Sequence, residues 1–91
     1  MTKSEFIDAV AQRADLSKRD AATAVEQVLE TIQDTLKGGE SITFTGFGKF
    51  SVQQRAARQG VNPRTGERVD IPAARVPKFS AGSGLKTAVR G

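Results

Sequence analysis

The sequence predicts an α+β fold: an N-terminal helical hairpin, a small antiparallel sheet with a long protruding β-ribbon arm, and a short C-terminal helix. Three observations predict it. Apolar residues recur at three- and four-residue steps as far as Leu36, and beyond Gly38-Gly39 they alternate in steps of two. From Arg55 to Phe79 the stretch RAARQGVNPRTGERVDIPAARVPKF has strand alternation and a central turn signal, but few large apolar residues. The change of period separates helix from strand, because side chains on one helix face recur every three or four residues and those on one strand face every second.

Each element follows in order. Thr2-Lys3-Ser4-Glu5 reads as a capping box, the Thr2 hydroxyl taking an early amide while Glu5 reaches back. Phe6, Ile7, Val10, Ala11 and Ala14 then keep helical spacing to about Ala14. Ser17 is placed to cap a second helix, with Asp20 favourable in its first turn. Ala21, Val25, Val28, Leu29, Ile32 and Leu36 make its apolar stripe, and Gly38-Gly39 ends it. Ser41 to Thr45 alternates as a strand with Ile42 and Phe44 on one face; Gly46-Phe47-Gly48 breaks or tightens it. Lys49 to Ala57 resumes extended structure, with Phe50 and Val52 facing one way. The ribbon turns at Asn62-Pro63-Arg64-Thr65-Gly66 and returns through Val69 and Ile71 to end near Val76. Pro72 and Pro77 confine parts of the returning strand to an edge or a bulge. A final helix carrying Leu85, Ala88 and Val89 is expected to be capped by Ser80 or Ser83. The expected boundaries are one domain over 1–91, with helical body and first strand in 1–48, arm in about 53–76 and last helix in about 80–91.

Size and composition narrow the function. A ribbon tip adds nothing to a core, so the packed body is nearer ~65 residues, marginal for a fold without staples. The chain has no Cys, His, Tyr or Trp, and five Phe. Phe47, Phe50 and Phe79 flank a sheet that two helices only partly cover, so a dimer is expected. Without His or Cys, the usual general base, thiol nucleophile and soft metal ligands are missing, and no enzyme activity, cofactor or metal is expected. The Glu5/Asp8 and Glu26/Glu30 pairs read as solvated helix faces, and Gly46-Phe47-Gly48-Lys49 lacks the spacing of a phosphate-binding loop. No apolar run reaches the ~20 residues of a membrane span, and no signal-peptide core follows Met1; the expected address is the cytoplasm, at the nucleoid.

Charge supplies the partner. Residues 1–48 carry five basic side chains and eight acids, whereas residues 49–91 carry nine basic side chains and two acids, Glu67 and Asp70. A basic working surface on an acidic scaffold points to a polyanion. From Gln53 to Pro63 the extended ribbon reaches roughly 33 Å. Such a hairpin is marginal in water and is expected to stay mobile until something orders it. Arg55, Arg58, Arg64, Arg68 and Arg75 are suited to phosphates along a groove. Pro63, a rigid apolar ring without an N–H, is suited to wedge between base pairs.

These residues carry a resemblance. GFGKFSVQQRAARQGVNPRTG, with Val76-Pro77, Phe79 and the two-helix N-terminus, resembles the bacterial HU family of histone-like DNA-binding proteins, kin of integration host factor, essentially end to end. The resemblance implies an intertwined homodimer, or a heterodimer with a paralogue, whose two arms embrace duplex DNA in the minor groove, bending or compacting it with little sequence specificity. It implies that Pro63 intercalates and that Arg55, Arg58, Val61, Asn62, Arg64, Thr65, Arg68 and Arg75 belong to the DNA-binding arm. Lys3, Lys18, Lys78 and Lys86 would contact DNA from the body, and Phe47, Phe50 and Phe79 would pack the dimer core. Bent, nicked or gapped duplex is the expected preference, because DNA already deformable needs less work. RNA is secondary, since the arm has no aromatic ring for stacking.

The sequence also departs from the family pattern. Val61 stands where many relatives are basic, so one phosphate contact per arm is expected to be lost unless Arg64 replaces it. Glu67 and Asp70, read as the outer face of the returning strand, should weaken non-specific binding. The Lys/Ala-rich tail of some actinobacterial relatives does not follow Gly91, as in a short-form member or a shortened chain. The alternative reading is a sequence-selective bender like integration host factor; before the Gly-Phe-Gly turn, however, this chain has Thr43 and Thr45, which cannot make bidentate base contacts.

Overall fold

Two long-range features, a helix hairpin and a ribboned sheet, organise the chain. The structure is a computed structural model describing residues 1–91, and it divides into two compact units, residues 1–35 and 36–91. Its elements are α1 (Lys3–Ala14), α2 (Lys18–Lys37), β1 (Ile42–Phe44), β2 (Gly48–Arg55), β3 (Arg58–Val61), β4 (Arg68–Ile71), β5 (Ala74–Ala81) and α3 (Ser83–Arg90). No helix is long and apolar enough to cross a membrane.

The first unit is the hairpin. The Glu5 N–H donates to Thr2 Oγ1 at 3.2 Å and the Thr2 N–H donates to Glu5 Oε1 at 3.0 Å, completing the capping box. The Thr2 backbone donor, and after it the Thr2 hydroxyl, hold the Glu5 carboxyl below its ordinary pKa of 4.5. α1 stops at Asp15, in the left-handed conformation (φ 55°, ψ 46°), whose N–H bonds to the Ala11 carbonyl. Short polar side chains tolerate that conformation better than most. The Asp20 N–H then donates to Ser17 Oγ at 3.1 Å and α2 begins. Between the helices Ile7, Ala21 and Val25 are buried, with Val10, Ala11 and Ala22 packed against them. Ala21, fully buried, lets the helices approach closely because it puts only a methyl at the contact.

In the second unit β1, β2 and β5 form an antiparallel sheet in the order β1-β2-β5, and β3 pairs with β4 in a separate ladder. Pro77 therefore sits on an edge strand, where its missing N–H costs no ladder bond. Gly48 is buried beneath a ring: a Cβ there would lie 2.5 Å from Phe79 Cζ and 2.8 Å from the Ser80 carbonyl oxygen.

Three expectations about boundaries need correction. β5 continues past Val76 to Ala81, because every residue from Ala74 on finds a partner in β2. The ribbon is not one ladder: pairing stops at Arg55↔Ala74 and resumes at Arg58↔Ile71, leaving Ala56-Ala57 opposite Pro72-Ala73. Pro72, which has no N–H to give, falls in that break. The third concerns α3, which starts at Ser83 with Gly82 as its cap and no side-chain cap bond; neither Ser80 nor Ser83 performs that role.

The backbone of the β1–β2 connection caps α3 instead. The Leu85 N–H donates to the Gly46 carbonyl at 3.0 Å, and the Gly82 N–H donates to the Phe47 carbonyl at 2.7 Å. The Gly46 carbonyl takes the Leu85 amide, three residues past the cap, which a side chain at the cap position would otherwise accept, and the cap itself is a glycine. The fit is close, for a Cβ on Gly84 would lie 2.7 Å from the Gly46 oxygen. Gly84→Ala should therefore push α3 off this carbonyl and lower unfolding stability by about 1–3 kcal/mol, read as a lower urea midpoint.

Candidate nucleic-acid interface

Opposite residues of an antiparallel ladder project to the same side, so the β2–β5 register sorts this sheet into two faces. One carries Phe50/Phe79, Val52/Pro77 and Gln54/Arg75; the other carries Lys49/Ser80, Ser51/Lys78 and Arg55/Ala74. The first face is aromatic. Phe50 and Phe79 lie 4.8 Å apart between ring centroids, Phe47 and Phe79 5.9 Å, and Phe44 meets Phe47 and Phe50 edge-on at 6.5 and 6.2 Å. The four rings close a cycle, within the range of favourable aromatic pairs. Yet Phe44, Phe47 and Phe79 stay 43, 51 and 42 % exposed.

The opposite face is basic. Lys49, Lys78 and Arg55 are exposed along it with Ser51 and Ser80 between them. The charge continues into the arm, where Arg58 on β3 pairs across to Ile71 and Arg68 on β4 to Val61. The only two ion pairs of the chain, Lys3 Nζ to Glu26 Oε1 at 2.7 Å and Lys18 Nζ to Asp8 Oδ1 at 3.2 Å, belong to the helix hairpin. No arm arginine is tied to a carboxylate. No group of three or more His, Cys, Asp or Glu side chains is gathered as a metal site would need.

The tip is a built turn. The Asn62 N–H donates to the Glu67 carbonyl and the Gly66 N–H to the Asn62 carbonyl, both at 2.8 Å. The Arg64 N–H donates to Asn62 Oδ1 at 2.9 Å, and the Glu67 N–H to Thr65 Oγ1 at 3.3 Å. Gly66 supplies the positive φ (74°) that the return requires. Pro63 and Arg64 stand exposed at the end.

Known proteins share this arrangement. Residues 1–90 match the model of the family described as bacterial DNA-binding protein. The chain is 58% identical over 89 residues to DNA-binding protein HRL18 of Rhizobium leguminosarum, covering 98% of each chain. It is 52% identical over 90 residues to DNA-binding protein HU of Staphylococcus aureus, covering 99% of this chain and 100% of that one. A solved Anabaena HU–DNA cocrystal structure superposes with a TM-score of 0.87 at 44% identity, over 98% of this chain and 97% of that one. The chain belongs to the HU family of bacterial DNA-binding proteins.

Within this HU-family chain, the residues singled out by sequence fall into distinct places. Arg55, Arg58, Arg68 and Lys78 follow the ribbon and sheet; Asn62, Pro63, Arg64 and Thr65 make the tip; Lys86 is exposed on α3. Lys3 and Lys18 belong to the hairpin unit and are already paired with carboxylates. Lys49 escaped the sequence reading, although its alternation with Ser51 and Arg55 was there to find. Phe44 was assigned a strand face but not the ring cluster, which forms only when β1, the β1–β2 connection, β2 and β5 are brought together. Glu67 belongs to the turn rather than to the returning strand, and Asp70 stands opposite Gln59 on the same side as Arg68.

Arg75 differs most from expectation. It lies on the aromatic side of the sheet, and its guanidinium donates to the Leu36 and Lys37 carbonyls at 3.3 and 3.2 Å. Both carbonyls lie at the end of α2, where a cation is favoured by the helix dipole; the Leu36 oxygen also accepts the Gly39 N–H at 2.9 Å. Sequence spacing could not reveal a partner 38 or 39 residues away. Arg75→Ala should lower unfolding stability by about 1 kcal/mol, and Arg75→Lys should recover part of it in the same denaturation measurement.

Proposed function

We propose that this HU-family chain is an architectural protein of the bacterial nucleoid that binds duplex DNA through the minor groove, with little regard to sequence, and bends or compacts it. The observation that carries this reading is a ribbon whose arginines have no carboxylate partner and whose tip ends in an exposed proline. Arg55, Arg58, Arg64 and Arg68 would neutralise phosphates along the groove, and Lys49 and Lys78 would extend that contact across the sheet. Lys86, and Lys3 and Lys18 once freed from their carboxylates, would hold the flanking duplex. Pro63 would enter a base step; the few kcal/mol of unstacking is offset by contacts that only bent DNA can make. From the minor groove these cations meet a pattern that separates little more than A·T from G·C, which favours shape over sequence.

The working form is a dimer, in which Phe44, Phe47, Phe50 and Phe79 pack against their counterparts. Three apolar side chains are buried in the single chain, all in the helix hairpin, while rings of the sheet unit and Phe6, Val28 and Leu29 stay about half exposed. Fully burying each such side chain contributes about 1.5–3 kcal/mol, so a second copy supplies the missing core. Melting should accordingly depend on protein concentration; a monomer mass with a concentration-independent melting temperature would exclude the dimer.

The DNA reading is tested by titrating linear and nicked duplexes labelled at both ends, at several salt concentrations. With about 6–10 phosphates contacted, affinity should fall by ~10³–10⁵ between 50 and 200 mM salt, and nicked duplex should bind more tightly. Arg58→Ala should reduce the salt slope for all sequences alike. Pro63→Ala should reduce energy transfer between the duplex ends while leaving the slope intact. Tight retention of one sequence at high salt would point instead to a site-selective bender.

A further inference from the structure

The arm tip contains two polar side chains that a DNA-binding loop would be expected to offer to bases, Asn62 and Thr65, and both are turned onto their own backbone. Asn62 makes the larger commitment. Its Oδ1 accepts the Arg64 N–H at 2.9 Å, its N–H donates to the Glu67 carbonyl at 2.8 Å, and its carbonyl accepts the Gly66 N–H at 2.8 Å. β3 ends at Val61 and β4 starts at Arg68, so one residue ties both sides of the six-residue turn between them. It is also the only residue from Val61 to Arg75 that is half-buried rather than exposed.

Pro63 has no N–H and a fixed φ, so no hydrogen-bond donor of its own can orient it. Its direction depends on the peptide units on either side. The bond from the Arg64 N–H to Asn62 Oδ1 spans Pro63 from one neighbour to the other and closes an Asx turn around it.

We infer that Asn62 is a positioning residue: its carboxamide oxygen sets the tip turn, and through it the direction in which the Pro63 ring is presented, rather than reading a base. This rests on the wedge reading of Pro63. Thr65 acts in the same sense but weakly, by one longer bond to Glu67. Two consequences follow for the interface. With its acceptor oxygens spent on the turn, the tip leaves the Pro63 ring, the Arg64 guanidinium and the Asn62 and Thr65 donors to face DNA, too few acceptors to read a base-pair pattern in full. Pre-forming the turn also removes an ordering cost that would otherwise fall on the bound complex.

Asn62→Ala and Asn62→Asp in the full chain separate the two roles, because the aspartate keeps the acceptor oxygen and loses the amide donor. Two quantities are read: solvent exchange of the Arg64 amide in the free protein, and energy transfer between the ends of a nicked duplex at saturating protein, where affinity does not intrude. Asn62→Ala should speed Arg64 exchange roughly fivefold, the worth of one net hydrogen bond, and reduce end-to-end transfer to the level of Pro63→Ala. The salt slope should stay at the parent value. Asn62→Asp should keep the parent exchange rate and the parent bend, with weaker affinity from its added negative charge. An Asn62→Ala variant that bends DNA like the parent overturns the inference. So does an Asn62→Asp variant that keeps Arg64 protected yet loses the bend, since the amide donor would then be touching DNA. A parent-like bend from Pro63→Ala would instead remove the wedge reading, while Arg64 exchange would still decide whether Asn62 sets the turn.

Discussion

Four phenylalanine rings that the chain brings together but does not cover govern much of the structure. About a quarter of the 91 residues lie between Arg55 and Phe79, in a ribbon with little to bury. What remains in the second unit buries no apolar side chain. Phe79 reaches Phe47 and Phe50 because Gly48 has no side chain beneath it. The same connection turns its Gly46 and Phe47 carbonyls toward α3 and receives two of its amides. Ring cluster, β1–β2 turn and α3 are thus one packing problem, solved by glycines at close approaches rather than by bulk. A solution without bulk leaves apolar surface outside, and that surface is the physical reason for a second copy.

Charge is divided with the same economy. Acidic residues collect in the first half of the chain, and two of them, Asp8 and Glu26, already engage Lys18 and Lys3. Exposed pairs of this kind contribute little to stability, with a typical value of about 0–1 kcal/mol. They are therefore cheap to exchange for a phosphate. Along the ribbon no such competition exists, because neither Glu67 nor Asp70 comes within salt-bridge distance of an arginine. An arm with free cations and an apolar tip gains little from folding onto its own chain. It gains from a polyanion.

The parts of the fold written in local chemistry were legible in the sequence. Thr2, Glu5 and Ser17 cap as their spacing predicts, the helical stripe ends at Gly38-Gly39, and the Asn62–Gly66 turn closes where its residues require. The illegible parts depend on contacts between distant segments. A serine near α3 is a good cap only if no carbonyl has taken the helix amides, and Gly46 takes one. Arg75 looks like one more arginine of the arm until the β2–β5 register puts it on the aromatic side, at the end of α2. The break at Ala56-Ala57 needs knowledge of which residues of the returning strand lie opposite. Arm arginines and tip proline were readable because exposure requires no partner.

Val61 illustrates how register changes the meaning of a departure. Read along the chain, it removes a positive charge from the arm, and Arg64 is the nearest candidate to restore it. Read across the ladder, Val61 faces Arg68 directly, on the same side of the ribbon. Opposite residues of an antiparallel pair have Cα atoms about 4.5–5.5 Å apart, well within the length of an arginine side chain. The charge is then displaced by one strand rather than lost, and the exposed Val61 lies beside it as apolar surface two residues from Pro63. A valine here widens the apolar surface near the tip proline, while Arg68 keeps a cation at the same level of the ribbon. Along this ribbon the unit of electrostatic design is the cross-strand pair, not the residue.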